Sequence, residues 1–532
     1  MARLWAGRAP QPVASQATSR GGAPIALAVL CTLLFLTFLD STIVSVALGD
    51  VQTSLHADVG GLQWVVAGYT LTFASIMLAC GMIGDELGRK AVMLTGAGVF
   101  CAGSVLCAVA PNVQTLIAGR LVMGLGAAAS EPGTLSMLRH LYPDDRARSR
   151  AIGIWVATCG FALAAGPVIG GILVGLWDWR AIFWFNLLFG LAAVLVALAV
   201  LPESADPTAA RVDTAGTLLG AGALAALVSA IIEAETLGFG DWAVITLLCA
   251  SVVLLALFVR QEQRTQHPLL DLRYFRIPAF TVGNVAAFCT YFATFAIYFF
   301  VALYLVEVVG ASGYRLAVVF LPMTVLMIVA SLLAGRWTAR TGPRLPVVTG
   351  CVLFAAGLFS AMAFIGPNPN YVGLSLVLML AGIGIGTTVV PITSAVMSAV
   401  PAERSGMAAS AANTSRVIGA ATGVAILGSL VNSQLHTSLV SHMNRIGVPV
   451  SFQGEVINAL ETGTIPRNAV YPPAIQKLVN EVISAAYSAF QDGLNVALYL
   501  SGALVLAAGL LALVTLRHRT PSETENQEVW TS

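Results

Sequence analysis

Apolar stretches long enough to cross a bilayer recur along this chain from residue 25 to residue 516, and the short segments between them collect its charge. About 20 consecutive apolar residues cross the ~30 Å hydrocarbon core as a helix. In that medium each span must satisfy its own backbone hydrogen bonds, which runs of this length do as helices. Fourteen runs are bounded by charge, glycine or proline: Ile25–Leu48, Leu62–Ile83, Ala91–Ala110, Gln114–Leu138, Ser149–Leu173, Ala181–Leu201, Thr214–Glu235, Ala243–Phe258, Phe280–Val306, Tyr314–Ala334, Leu345–Phe364, Val372–Ser398, Met407–Val431 and Leu494–Leu516. With a mean hydropathy of +0.84, the chain reads as an all-α polytopic membrane protein, not as a string of soluble domains.

Lysine and arginine set the orientation, because they concentrate in cytoplasmic loops. One set of alternate segments holds Arg89, Lys90, Arg139, Arg146, Arg148, Arg150, Arg260, Arg264, Arg273, Arg276, Arg336, Arg340, Arg344, Arg517 and Arg519, whereas the short loops of the other set hold Arg180 and Arg315. Fourteen spans with both termini cytoplasmic are predicted, since an odd number would scramble this asymmetry. The expected layout is a cytoplasmic tail (1–24), a six-helix bundle (25–201), an inserted helix pair (214–258), a second six-helix bundle (280–516) and a cytoplasmic tail (517–532).

Several function classes are disfavoured. The formal net charge of +1 gives no electrostatic case for nucleic acid. The first apolar run is too long for a cleaved signal and contains Asp40. All eight cysteines fall inside apolar runs, so no structural disulfide or metal site is expected. The six histidines lie in loops or the tail, away from the depth a membrane metalloenzyme would need. "GIGIG" (Gly382–Gly386) and "GLGAAA" (Gly124–Ala129) lie within spans with no strand before them, and no P-loop is present. No cofactor is expected.

A charged turn, "GMIGDELGRK" (Gly81–Lys90), falls between spans 2 and 3. "GRWTARTGPR" (Gly335–Arg344), between spans 10 and 11, repeats its glycines at the first and eighth places. Two six-span halves related by an axis along the membrane normal describe one class of transporter. A duplication relic without mechanical role is the plainer reading. The predicted outer loop Asn432–Gly493 is far longer than usual. Within it, Ile475, Leu478, Val479, Val482, Ile483, Ala486 and Phe490 share one helical face after a proline pair. That pattern predicts an amphipathic helix on the outer surface or over the outer mouth.

Charges inside spans cost ~2.5–3.5 kcal/mol on insertion scales. Asp40 in span 1 and Arg120 in span 4 both lie ~9–12 Å from the outer surface, so each is placed to offset the other's burial. Arg416 sits near the middle of span 13. These three are candidates for proton coupling or substrate contact; the alternative is a static pair that orients helices. Glu131, eleven residues beyond Arg120, falls at the depth of the charged turn, where Arg89 or Lys90 can reach it. Gly166 and Pro167, with Gly170 and Gly171, predict a kink and a flat packing face in span 5. Trp64, Tyr69, Phe292 and Tyr298 are candidate cavity aromatics, although span aromatics more often pack or face lipid.

These residues resemble the major facilitator superfamily, specifically its fourteen-span drug:proton antiporters. The likeness rests on Gly81, Asp85, Gly88, Arg89 and Lys90 in the first charged turn, and on "LDSTIVSVAL" (Asp40, Thr42, Val44, Ala47) in span 1. It continues through "RLVMGLGAAA" (Arg120, Gly124, Gly126), "GPVIGG" (Gly166, Pro167, Gly170, Gly171), "WRAIFWFN" and "SRVIGAATGVAIL". Glu86, Gly49 and Ala339 depart from the usual pattern. The resemblance implies a major facilitator fold and a plasma-membrane transporter, in a bacterium the inner membrane, functional as a monomer. It implies export of hydrophobic or cationic drug-like molecules in exchange for protons. The charged turn would be an inner latch, Glu131 would complete its charge relay, and the span-5 motif would mark antiport. One rival is a dedicated exporter of a single metabolite or self-made antibiotic. The other, a membrane enzyme or sensor, would need a catalytic cluster or soluble domain that the sequence does not offer.

Overall fold

The computed structural model describes residues 22–57, 59–203, 213–265, 268, 270–302, 304–305, 313–365, 370–401, 404–445 and 473–516. Its long helices follow the predicted runs: α1 (Gly22–Ile43), α2 (Val59–Leu87), α3 (Arg89–Ala108), α4 (Val113–Leu141), α5 (Asp145–Leu176), α6 (Arg180–Val200), α7 (Thr214–Leu237), α8 (Trp242–Glu262), α9 (Pro278–Ala296), α10 (Gly313–Thr341), α11 (Arg344–Ala361), α12 (Tyr371–Ser398), α13 (Ser405–Arg445) and α14 (Pro473–Thr515). By length and apolarity alone, ten helices among the described residues qualify as membrane spans, and up to twelve when each bent pair counts as one.

Helix starts carry their reasons in the sequence. Side-chain oxygens of Asn112, Asp144, Asp213, Asp241 and Asn370 accept from free backbone N–H groups in the first turns of α4, α5, α7, α8 and α12. Pro278 opens α9, where a missing N–H costs nothing.

The helices pack as two groups with a pair between them. In the first group α3 packs on α4 and α6, α2 on α4, and α1 on α5 and α6; in the second α12 packs on α10 and α11, α13 on α9 and α14, and α11 on α14. The pair α7–α8 packs together, and α7 rests on both α2 and α13. The groups meet along two main seams, α5 with α10 and α2 with α13, with further contact of α4 with α13 and α5 with α12.

The repeated turn has a shared structural basis. A Cβ on Gly81 would lie 2.6 Å from the Gly406 carbonyl of α13, and one on Gly335 would lie 2.6 Å from the Ser149 carbonyl of α5. Each half thus uses its motif glycine to bring a helix against the other half's backbone. Both eighth-place glycines have positive φ, 106° at Gly88 and 77° at Gly342, where a side chain would be strained. We call the end of the molecule holding both turns the charged end. The N-terminal end of α1 lies there too, since the Tyr142 hydroxyl at the end of α4 donates to the Ala23 carbonyl.

The long loop differs from expectation. α13 continues to Arg445 and α14 begins at Pro473, so the predicted surface helix is the first part of α14 and not a separate element. Its predicted apolar face up to residue 486 and the stretch 446–472 lie outside the described side chains, as do the predicted terminal tails. The reason is continuity: from Pro473 no glycine or proline interrupts the run until Gly493, and the helix passes through that residue.

After the inserted pair, the chain is tied down by Asp271, which is 4% exposed. It accepts from Arg273 Nη2 at 2.8 Å and from Arg404, just before α13, at 3.1 Å. The Arg273 hydrogen bond holds the Asp271 carboxyl below the usual carboxylate range.

Two outcomes follow from these contacts. Gly335→Val should wedge α5 from α10, so that a cysteine introduced at Ser394 reacts severalfold faster with a water-soluble thiol reagent. Because the folded Asp271 carboxyl is the stronger acid, its stabilisation is present above the ordinary carboxylate range and is lost as pH falls through and below it. Wild type should therefore melt above Asp271→Asn at neutral pH, by the equivalent of about 1 kcal/mol or less, with the difference vanishing in acid.

Candidate transport site

The two outer charges predicted to share a depth do meet. Asp40 of α1 and Arg120 of α4 form a salt bridge and are 0% and 1% exposed. Asn186 of α6 donates its amide to the other Asp40 oxygen at 2.8 Å. Arg120 also donates to the Val65 carbonyl at 2.8 Å and lies 4.6 Å above the Tyr69 ring. Tyr69 in turn donates to the Thr37 carbonyl at 3.0 Å. Four helices of one half therefore enclose the pair. Asn186 closes the stretch "WRAIFWFN", but the sequence assigns it no role, although a lone amide within the apolar run Ala181–Leu201 is a usable signal.

The span-5 motif packs against the same helix. A Cβ on Gly166 would lie 3.0 Å from the Ile43 nitrogen, and one on Gly170 would lie 2.9 Å from the Ile43 carbonyl. Gly171 faces open space. α5 bends by 42° between Leu163 and Val168, at the break the sequence places at Pro167.

A second charged centre lies between the halves. Glu131 of α4 is 2% exposed, and its Oε2 has no hydrogen-bond partner among the described residues. The cation whose field reaches it is Arg416 of α13. Arg416 is itself 4% exposed, donates to Asn413 at 2.6 Å and to Thr393 of α12, and lies 5.5 Å from the Trp155 ring of α5 and 5.7 Å from the Tyr291 ring of α9. The Trp155 indole donates to Thr134 Oγ1 at 3.0 Å, and Thr134 donates to the Glu131 carbonyl at 2.7 Å. A buried acid from one half and a buried base from the other thus act on each other through space, where low dielectric strengthens the interaction.

This placement corrects the expectation that Glu131 reaches the charged turn. Arg89 instead binds Asp85, with N–O distances of 2.9 Å from Nε and 2.8 Å from Nη2. Lys90 donates to the Leu198 and Leu201 carbonyls at the end of α6, at 2.9 and 2.6 Å. Linear depth along α4 is right in order, but the facing helix depends on rotation about the axis.

The charged end holds the halves together through helix termini. Asp85 accepts from the backbone N–H groups of Gly406 and Met407, each at 3.1 Å, at the start of α13. A carboxylate there meets both unpaired donors and the positive end of the helix dipole. Arg139 donates to the Met397 carbonyl at the other half's α12 terminus. Arg148 reaches Ser398 Oγ at 3.0 Å, and Ser149 meets Ser394 at 3.2 Å.

A chain folded as two such helix groups matches proteins of known class. Residues 30–424 match the Major Facilitator Superfamily. The chain belongs to that superfamily. It is 34% identical over 494 residues to the multidrug resistance protein Stp of Mycobacterium tuberculosis, covering 91% of this chain and 89% of the relative. It is 32% identical over 509 residues to the tetracenomycin C resistance and export protein of Streptomyces glaucescens, covering 95% and 93%. The proton:xylose symporter XylE shares the fold at a TM-score of 0.61 and 14% identity, over 95% of this chain and 99% of that one. The family is one of multi-pass membrane transporters, and the two sequence relatives are named for multidrug resistance and for resistance and export of an antibiotic.

In this superfamily member the four predicted cavity aromatics do not gather around one space. Tyr69 seals the Asp40–Arg120 pair, Trp64 is half-buried, Phe292 packs its backbone against Gly423 of α13, and Tyr298 stacks on Phe320 with its hydroxyl 3.3 Å from Thr324. Trp155 and Tyr291 wall the central charges instead. Nothing in their apolar runs distinguishes them from packing residues.

The sealed pair predicts a large single-mutant cost. Arg120→Ala leaves Asp40 buried without its cation and should destabilise by about 3–5 kcal/mol. Asp40→Asn added to Arg120→Ala should recover part of that loss, as read by thermal unfolding in detergent.

Proposed function

We propose that this chain is a proton-coupled exporter of hydrophobic or cationic drug-like molecules, working by alternating access. In this reading all fourteen long helices cross the membrane, the charged end and both termini face the cytoplasm, and a single copy suffices in a bacterial inner membrane. It catalyses no covalent chemistry and needs no cofactor. The observation that carries the reading is Glu131, a buried carboxyl whose Oε2 has no hydrogen-bond partner among the described residues and which lies in the field of Arg416 from the other half.

A proton and a cationic or hydrogen-bond-donating cargo both seek that oxygen, and only one can hold it. Competition for one site is what exchange requires, because binding of either partner then releases the other. Asp40, paired with Arg120, is a second ionisable group nearer the opposite end. Latches at Asp85 and Arg139 hold the cytoplasmic side shut in this conformation, and their release opens it. Moving one charge through 100 mV supplies ~2.3 kcal/mol, roughly fiftyfold accumulation before any pH gradient is added.

The resistance-and-export protein for a single antibiotic among the relatives favours a narrower second reading, a dedicated exporter of one compound. Resistance profiles against a substrate panel in a pump-deficient host separate the two. The coupling itself is tested by dye efflux from proteoliposomes with an imposed pH gradient. Wild type should respond to the gradient, and Glu131→Gln should lose at least ten-fold of that response while remaining folded. Equal wild-type transport with the gradient collapsed and voltage clamped at zero would overturn the proposal.

A further inference from the structure

The bend in α5 exposes a backbone problem that another helix solves. In an unbroken helix the carbonyl of Leu163 would receive the N–H of residue 167, four positions on. Residue 167 is proline and has no N–H to give. The Thr42 hydroxyl of α1 stands 3.2 Å from that carbonyl. Hydroxyls on neighbouring helices are a recognised means of satisfying backbone groups freed by proline within a membrane.

Thr42 is also two residues from Asp40. Its surroundings lock it to the break: Gly166 has no side chain to push it away, with Thr42 Cβ only 3.0 Å from where a Gly166 Cβ would stand, and Gly170 packs on the next residue, Ile43. The hydroxyl has a second acceptor within reach, the Leu39 carbonyl of its own helix at 3.3 Å. One hydroxyl hydrogen bonds well to one carbonyl at a time. It can therefore grip α5 or fall back onto α1, with a partner in either position.

We propose that Thr42 is the positioning residue that passes a change at Asp40 to the hinge of α5, by holding or releasing the Leu163 carbonyl. A shift of the last turn of α1, as Asp40 changes its hold on Arg120 and Asn186, moves this hydroxyl with it. α5 carries Trp155 toward Arg416 and Ser149 toward Ser394, so its bend reaches the other half directly. The proposal rests on the proton-coupling reading above for its functional part, whereas the hydrogen bond to the hinge stands on geometry alone.

The test compares wild type with Thr42→Val, Thr42→Ser and Gly166→Ala, all full-length. In nanodiscs, amide hydrogen exchange is followed across residues 161–172. In proteoliposomes, dye equilibration without a gradient is compared with accumulation driven by a pH gradient. Thr42→Val should exchange about fivefold faster at the hinge, the factor expected for one ordinary hydrogen bond. It should keep equilibration and lose at least fivefold of driven accumulation. Thr42→Ser should behave as wild type, and Gly166→Ala, which crowds Thr42, should follow Thr42→Val. Thr42→Ala replaces the valine variant if that fails to fold. Wild-type hinge exchange and accumulation in the hydroxyl-free variant, or a folded serine variant as impaired as valine, would overturn the proposal. A wild type indifferent to the pH gradient would instead sink the proton-coupling reading, and hinge exchange alone would then decide the role of Thr42.

Discussion

A backbone polar group in hydrocarbon has no water to turn to, and the architecture is arranged around that constraint. Continuous helices meet it for most of the chain. Ends and breaks do not, and side chains gather there from elsewhere in the fold. Asp85 serves the free N–H groups opening α13, Arg139 serves a carbonyl closing α12, and Thr42 serves the carbonyl that Pro167 leaves without its donor. The first two contacts cross between halves. The cohesion of the molecule at its charged end is thus borrowed from unfinished helices.

These contacts have matched polarity. One half offers an acid to the positive end of α13 and bases to the negative end of α12. Helix termini differ from ordinary ion-pair partners in one respect: when the contact parts, water can take over at both sides. Contacts of this kind would leave no stranded charge in hydrocarbon if the halves parted there. The buried pair of Asp40 and Arg120 is the opposite case, since neither member can be removed without exposing the other to an apolar interior.

What is legible in the sequence is what can be counted along one helix. Depth is arithmetic at 1.5 Å per residue, so the meeting of Asp40 with Arg120 can be read from residue numbers alone. The repeated turn is legible for a similar reason, because two glycines seven apart impose the same demands wherever they fall. Rotation about a helix axis is not legible in this way when nearly every face is apolar. Depth by itself accordingly assigns Glu131 to Arg89 or Lys90, whereas its face of α4 turns to α13 and Arg416. The aromatics mislead on the same ground: Trp155 and Tyr291 line the centre, Tyr69 and Phe292 pack. The extra length of α14 is hidden because Gln491, Asp492 and Gly493 read as a break between the amphipathic helix and the last apolar run, whereas α14 runs through them.

The pair α7–α8 gives the two seams unequal neighbours. α7 lies over both α2 and α13, so that boundary is roofed by protein. At the other boundary Ile154 and Phe161 of α5 and Val329 and Leu333 of α10 are exposed apolar side chains, the surface expected where acyl chains touch. A greasy molecule dissolved in the membrane would therefore find one flank shielded and the other bare.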